Sequence, residues 1–262
     1  MIRKIGIILI TTLALTLNVN ASSDGELLLK KNDPSEINDC SEGFNRASFA
    51  LNQVLDGIIF KPVARAYRVM PSPFKTGVSN SLENLSNLVT IPNNIIQGDF
   101  EQAGSNTGRF LINSTVGLLG IIDVAQYLGF SEYEKEDYGQ SLAKHGVSPG
   151  CYIVLPILGP STARDTVATA ANFFGGDAWY NVTVRNDTHY FSDVDYYSSK
   201  ITGGVDFRAK NFDSLENLEK NSLDFYASVK SLYLQDRQQK ILNTKKIIST
   251  QNDSDWEEIE KQ

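Results

Sequence analysis

The chain has 262 residues, 41% hydrophobic and 10% aromatic, enough for one large domain or two small ones. Its net charge of −7 argues against a general nucleic-acid role, which favours a basic patch, and against adsorption to anionic lipid by charge alone. Two histidines without HExxH or CxxC spacing give no zinc pattern, and no GxxxxGK[ST] phosphate loop occurs, so no metal and no cofactor is expected.

Taken in order, the chain opens with a secretory signal over residues 1–21. Arg3 and Lys4 precede the apolar run Ile5 to Leu17, and Val19-Asn20-Ala21 gives the small-residue cleavage pattern. Removing this segment takes away two bases and no acid, moving the net charge from −7 to −9. The protein is therefore read as exported, and as periplasmic or envelope-bound if bacterial. Residues 22–38 read as a flexible polar lead. Cys40 follows Ile37-Asn38-Asp39 and does not fit a lipoprotein signal, which needs small residues before the cysteine. Cys40 and Cys151 are free to pair in an oxidising compartment, but sequence does not fix whether their geometry allows it.

A helix is expected from near Ser41, with capping-box spacing between Asp39 and Glu42. Phe44, Ala47, Leu51, Val54, Leu55 and Ile58 recur at helical spacing. Phe60-Lys61-Pro62 marks a break, after which Pro62 opens a short helix bearing Val63 and Tyr67. A second break falls at Pro71-Ser72-Pro73, with Ser72 as cap and Phe74, Val78, Leu82 and Leu85 on the following helix. Pro92 ends or restarts the chain, and Gly98 is a helix stop. Asp99 and Gln102 repeat the capping spacing.

The most apolar run of the mature chain follows, from Asn106 to Gly129. Arg109, Asp123 and the polar Asn113-Ser114-Thr115 make it a poor membrane span. It reads as a helical arm, a turn at Gly117 and Gly120, and a second apolar arm from Leu118 to Leu128. Such a hairpin fits a core, or dips into one leaflet of a membrane. Residues 131–138 read as a charged surface loop or helix end. Tyr152 to Leu158 is extended or irregular, limited by Pro156 and Pro160, and Ser161 caps a helix through Arg164, Val167 and Ala171. Residues 173–207 carry little pattern. Helical periodicity returns over 213–243, and residues 248–262 form an acidic, disordered tail. No repeat and no linker is visible. The fold class is all-α, one mostly helical domain with irregular Gly/Pro-rich loops.

Chemistry is sparse. Gly139-Gln140-Ser141-Leu142-Ala143 loosely matches a nucleophile elbow, which needs a strand before Ser141 and an Asp and a His after it. The preceding segment is charged, so a polar turn before a helix is the plainer reading, with His189 the one late histidine. Gly117 and Gly120 follow a helix rather than a strand, against a dinucleotide site. Arg109, Asp123, Arg164 and Asp165 suit ion pairs among apolar helices, or a polar path and lipid head-group contacts.

The assembled motifs resemble the MlaA (VacJ) family of the Gram-negative outer membrane. They are Glu42-Gly43-Phe44-Asn45-Arg46, Lys61-Pro62-Val63-Ala64, Gly77-Val78-Ser79-Asn80 and Gln97-Gly98. There follow Thr107-Gly108-Arg109-Phe110-Leu111-Ile112-Asn113-Ser114-Thr115-Val116-Gly117, Asp123-Val124-Ala125, Tyr138-Gly139-Gln140-Ser141-Leu142 and His145-Gly146-Val147. The last are Tyr152-Ile153-Val154-Leu155-Pro156 and Gly159-Pro160-Ser161-Thr162-Ala163-Arg164-Asp165. Their order and spacing cover roughly residues 39–166, and Asp224 to Arg237 is similar to the family's C-terminal helix.

The resemblance implies a helical, ring-like domain over residues 39–247, lying in the inner leaflet of the outer membrane. It implies an amphipathic channel that takes phospholipid mislocalised to the outer leaflet and passes it to a periplasmic carrier, MlaC. A porin trimer is the implied membrane partner, and no covalent chemistry is involved. Arg109, Asn113, Thr115 and Asp123 are the residues chosen for the polar side of the path, with Arg164 and Asp165 behind them. Two departures stand out. Family members are often lipoproteins, and this chain lacks the lipobox cysteine. The family commonly has proline where Cys40 and Cys151 stand, and this joint exchange suggests a Cys40–Cys151 disulfide, with two unrelated substitutions as the alternative. The rival functions are an envelope structural or adhesion protein, and a lipid hydrolase at Ser141.

Overall fold

A computed structural model describes residues 37–185 and 191–242. The signal segment 1–21, nearly all of the lead 22–38, His189 and the tail 248–262 lie outside the described residues.

Helix α1 spans Glu42–Leu55 and starts at Ser41, as its spacing indicates. Neither half of the expected capping box is made: Ser41 gives no side-chain cap, and Asp39 instead accepts from Asn45 Nδ2 at 2.7 Å and from the Tyr226 hydroxyl. The break expected at residues 60–62 is also absent. A π-helical turn, Asp56–Phe60, runs straight into α2, Lys61–Arg68. Proline lacks a donor and its ring crowds the carbonyl four residues back. The wider turn before Pro62 accommodates both defects without ending the helix.

Helix α3, Ser72–Gln97, has Pro71 rather than Ser72 at its N-cap position and no side-chain cap, carries Pro73 in its first turn, and ends at Gly98 with φ +79°. Pro92 lies inside it and does not end it. Asn93 next to it donates its side-chain amide to the Val89 carbonyl at 2.8 Å, so part of the local bonding is side chain to backbone. Helix α4, Phe100–Thr115, is capped by Asp99, which accepts from the Gln102 N–H at 3.1 Å. It packs along α3 through polar contacts: Asn106 Nδ2 donates to Asn94 Oδ1 at 2.9 Å, and Asn84 Nδ2 to Ser114 Oγ at 2.9 Å. The turn after α4 brings Gly120 against Asn84. Its φ is +87°, and a Cβ there would stand 2.5 Å from the Asn84 Cβ, so only glycine fits.

The second apolar arm is no long helix. Only α5, Val124–Tyr127, is helical, capped by Asp123. Helix α6, Tyr138–Lys144, is capped by Asp137. The segment before it is not all surface, since Glu136 is 4% exposed. Strands β1, Tyr152–Leu155, and β2, Gly159–Thr162, pair antiparallel with Tyr152 opposite Thr162 and Leu155 opposite Gly159. Thr162, not Ser161, caps α7, Ala163–Ala171. A π-helical turn, Asn172–Gly176, and the short α8, Ala178–Tyr180, follow. Helix α9, Asp193–Lys210, fills the stretch where sequence shows little pattern, started by a Ser192/Asp195 capping box. Helices α10, Phe212–Asn221, and α11, Phe225–Leu242, complete an all-α fold with one hairpin.

Two apolar clusters hold the chain together. Phe49, Tyr152, Val154, Tyr226 and Leu234 join α1, β1 and α11, while Ala64, Tyr67, Ala209 and Phe212 join α2, α9 and α10. A disulfide links Cys40 to Cys151 with Cα atoms 5.6 Å apart, tying the start of α1 to β1. Tyr152 N–H reinforces the link by donating to the Asn38 carbonyl at 2.9 Å.

Elsewhere the usual distribution is inverted. Among the described residues, 22 polar or charged side chains are buried against 16 hydrophobic ones. Phe44, Leu51 and Val54 of α1 and Ile58 of the π turn, one apolar stripe, face outward while Asn45 is 1% exposed. No helix among the described residues is long and apolar enough to cross a membrane.

Candidate functional site

A cavity of about 580 Å³ lies between α3 and α9. Its wall is split chemically. Leu82, Leu85, Val89 and Phe207 supply apolar surface, and Glu83, Lys135, Lys200 and Lys210 supply charge. The width comes from α9, where Gly203 and Gly204 line the cavity and a Cβ built at either meets no heavy atom within 4 Å. One end is fixed by an aromatic cluster around Asp177. That carboxylate accepts from the Tyr196 hydroxyl at 2.6 Å and pairs with Lys200 at 3.1 Å, and Lys200 lies 5.2 Å from the centroid of the Trp179 ring.

The floor is polar. Thr90, Asn93 and Gln97 on α3 grip the 133–141 segment: Thr90 meets the Tyr133 hydroxyl at 2.9 Å, and Gln97 Nε2 donates to Glu136 Oε2 at 2.8 Å. Gln140 Nε2 donates to the same oxygen at 2.6 Å. Burial pushes the Glu136 carboxyl up to about 7, the Gln97 hydrogen bond opposing only part of the shift. Ser141 Oγ donates to Asn93 Oδ1 at 2.6 Å, and Ser141 sits in α6 with a loop before it, not on a strand-to-helix elbow.

The six residues singled out by sequence fall into two groups, neither on the cavity wall. Arg109 pairs with Asp123 Oδ2 at 2.6 Å and donates to the Ser131 carbonyl at 2.9 Å. Asn113 donates to Asp123 Oδ1 at 2.8 Å and accepts from the Ala125 N–H at 2.9 Å. Together they latch α4 to α5 and to the segment leading to the floor. Thr115 is exposed and bonds back to the Leu111 carbonyl at 2.7 Å. Arg164 pairs with Asp165 at 3.0 Å. Asp165 also accepts from Arg237 of α11 at 2.9 Å, and Arg237 reaches on to Asp137 at 2.7 Å. Asp137 does line the cavity, so this chain of charges ends at its wall. Burial raises the Asp165 carboxyl, but the Arg237 and Arg164 cations outweigh it and hold it at about 2.

An apolar outside, a polar inside and an amphipathic cavity are the features the sequence motifs lead one to expect. The chain matches the family model described as MlaA lipoprotein over residues 37–240. The chain belongs to the MlaA family. It is 32% identical over 228 residues to the "Intermembrane phospholipid transport system lipoprotein MlaA" of Escherichia coli, covering 85% of this chain and 84% of that protein. The Haemophilus influenzae protein of the same name is 30% identical, with coverage of 83% and 85%. An uncharacterized protein of Rickettsia bellii is 32% identical, covering 79% of this chain and 80% of its own. A solved structure, "Structural basis for maintenance of bacterial outer membrane lipid asymmetry", superposes with a TM-score of 0.65 at 31% identity, over 78% of this chain and 98% of that one.

Two further points concern the residues of this MlaA chain. Both of its cysteines are tied up in the disulfide, leaving no free thiol. The cavity charges Glu83, Lys135, Lys200 and Lys210 were not among the residues singled out by sequence. They look like ordinary solvent-facing helix or loop charges, and only Gly203-Gly204, a pair that weakens a helix, hints that α9 faces open space.

Proposed function

We propose that this MlaA chain removes mislocalised phospholipid from the outer leaflet of a Gram-negative outer membrane and passes it to a periplasmic carrier of the MlaC kind. The observation that carries this is the cavity itself. A phospholipid needs apolar walls for its acyl chains and cations or donors for its phosphate within one enclosure, and the α3–α9 cavity has both. The exterior suits the same task. Leu118, Leu119, Phe173 and Phe174 are all more than 60% exposed, a cost in water and a gain in hydrocarbon. These faces seat the protein in one leaflet beside a porin trimer, anchoring it by an apolar belt. Arg109, Asn113 and Asp123, with Arg164 and Asp165, serve the lipid path from behind as its rigid frame. No bond is made or broken: Ser141 Oγ is engaged by Asn93.

Extraction of the protein from the envelope in mild detergent, followed by lipid phosphorus analysis, tests the reading. Phospholipid at a fixed ratio to protein, unchanged by Ser141→Ala, is the expected result. Envelope association without bound lipid would favour a structural or adhesion role.

A further inference from the structure

The α3–α9 cavity does not stop at Lys210. A second cavity of about 370 Å³ opens beside it, and Ser79, Glu83, Asp206 and Lys210 line both. These four residues therefore stand at the shared boundary, or neck, of two adjoining chambers. The chambers differ in chemistry: the apolar Leu82, Leu85 and Val89 stay in the larger one, while the smaller one adds Arg68, Lys75 and Thr76.

The charges at the neck are unequally committed. Asp206 is saturated, accepting from Ser79 at 2.9 Å, from the Tyr67 hydroxyl at 3.0 Å and from Lys210 at 3.0 Å. Arg68 is clamped to Asp213 through two bonds of 2.9 and 2.6 Å. Glu83 and Lys210 are 3.9 Å apart, beyond a hydrogen bond, and each is about half exposed to the cavities. Lys75 donates to the Arg68 carbonyl at 3.0 Å and has no carboxylate partner among the described residues. Two lysines thus face the smaller chamber: Lys210, held by Asp206 at 3.0 Å and only loosely by Glu83, and Lys75, without a carboxylate partner among the described residues.

We propose that the smaller chamber is a phosphate subsite, in which the anionic phosphodiester of a phospholipid seats between Lys75 and Lys210 and displaces Glu83 from Lys210. The acyl chains stay against Leu82, Leu85 and Val89. Ammonium-to-phosphate bonds are charge-assisted and outcompete a pair held 3.9 Å apart. Glu83 then acts as a placeholder: it is the looser second carboxylate on Lys210 when the chamber is empty, Asp206 staying in place, and it repels the phosphate once it has arrived. The subsite deepens the transport reading above and rests on it.

The test uses the full-chain protein in detergent, titrated with phosphatidylglycerol and, separately, with diacylglycerol of the same chains. Lys75→Gln and Lys210→Gln are expected to weaken phosphatidylglycerol binding about tenfold each, the scale of one lost charge-assisted bond. Glu83→Gln is expected to tighten it, and diacylglycerol affinity is expected to stay constant throughout. Lys240→Gln, on the outer face of α11, serves as the control, with helical content measured for every variant. Unchanged phosphatidylglycerol binding in both folded lysine variants overturns the subsite and leaves the transport reading standing. Failure of the wild type to bind either lipid overturns both. Protection of Lys75 from amine labelling by inorganic phosphate but not by phosphatidylglycerol assigns the chamber to the free anion and overturns the lipid assignment.

Discussion

A side chain placed at Gly204 enters open space inside the cavity, which makes this residue a direct handle on occupancy. Gly204→Trp is expected to keep the fold, with a gain of up to about 1 kcal/mol from helix propensity, while bound phospholipid falls to background. Lipid phosphorus and a thermal melt on one sample check both halves. Glu136 gives a pH dependence of known sign. Its carboxyl moves from an ordinary 4.5 to about 7, so the folded state holds the proton more tightly than the unfolded one. Its burial therefore costs nothing below pH 4.5 and about 3 kcal/mol above pH 7. Glu136→Gln, which keeps an acceptor for Gln97 and Gln140, is expected to stabilise the protein above pH 7 and leave it unchanged below 4.5. Denaturant melts at the two ends of the range measure this. Asp165 has the opposite sign, with its folded value held at about 2 against an ordinary 3.8. It contributes about 2 kcal/mol that is present above pH 3.8 and lost as pH falls towards 2. Arg237→Met, which strands Asp165 and Asp137 without their shared cation, is expected to cost about 3–5 kcal/mol near neutral pH. At this scale the sequence motifs contained the ion pairs Arg109–Asp123 and Arg164–Asp165. Arg237 entered only as the end of the family-like C-terminal helix and with no charge role, because nothing in a helical repeat marks which of its cations turns inward.

At the scale of elements, the positions of helices were largely readable and their ends and faces were not. Starts at Ser41 and Asp99, the stop at Gly98 and the proline in the first turn after Pro71 follow from local chemistry and occur where that chemistry places them. The breaks expected at Pro62 and Pro92 do not occur: a π turn precedes Pro62 and runs straight into the next helix, and Pro92 is carried inside α3. The face of α1 illustrates a second limit. Helical spacing of Phe44, Leu51, Val54 and Ile58 reports an apolar face but not whether protein or lipid covers it. The Cys40–Cys151 disulfide acts at this scale too, closing a loop of 111 residues between α1 and β1. Loop-closure entropy sets its stabilisation at about 4–5 kcal/mol at most. Cys40→Ala is expected to lose a large part of that, and reductant is expected to lower the wild-type denaturation midpoint while leaving Cys40→Ala unmoved. A midpoint insensitive to reductant would show that Asn38, Asn45 and Tyr226 hold α1 to β1 without the bridge.

The whole molecule is organised by inversion: asparagines, a glutamate and arginines pack inside, and large apolar side chains face out. That arrangement suits hydrocarbon surroundings, where helix association relies on polar contacts and close packing rather than on hydrophobic burial. It also explains why composition says so little, since a hydrophobic share of 41% is the same whichever side the residues face. The cavity is a property of this scale alone, assembled from α3, α9 and the 133–137 segment, which are far apart in sequence. The most direct test is the phospholipid content of the outer leaflet of the outer membrane in a strain lacking this gene, complemented with wild type or with Gly204→Trp. Transport through the cavity requires a rise on deletion, full reversal by wild type, and no reversal by Gly204→Trp present at the same level in the envelope. An outer leaflet unchanged on deletion, or restored as well by Gly204→Trp as by wild type, would contradict transport through this cavity.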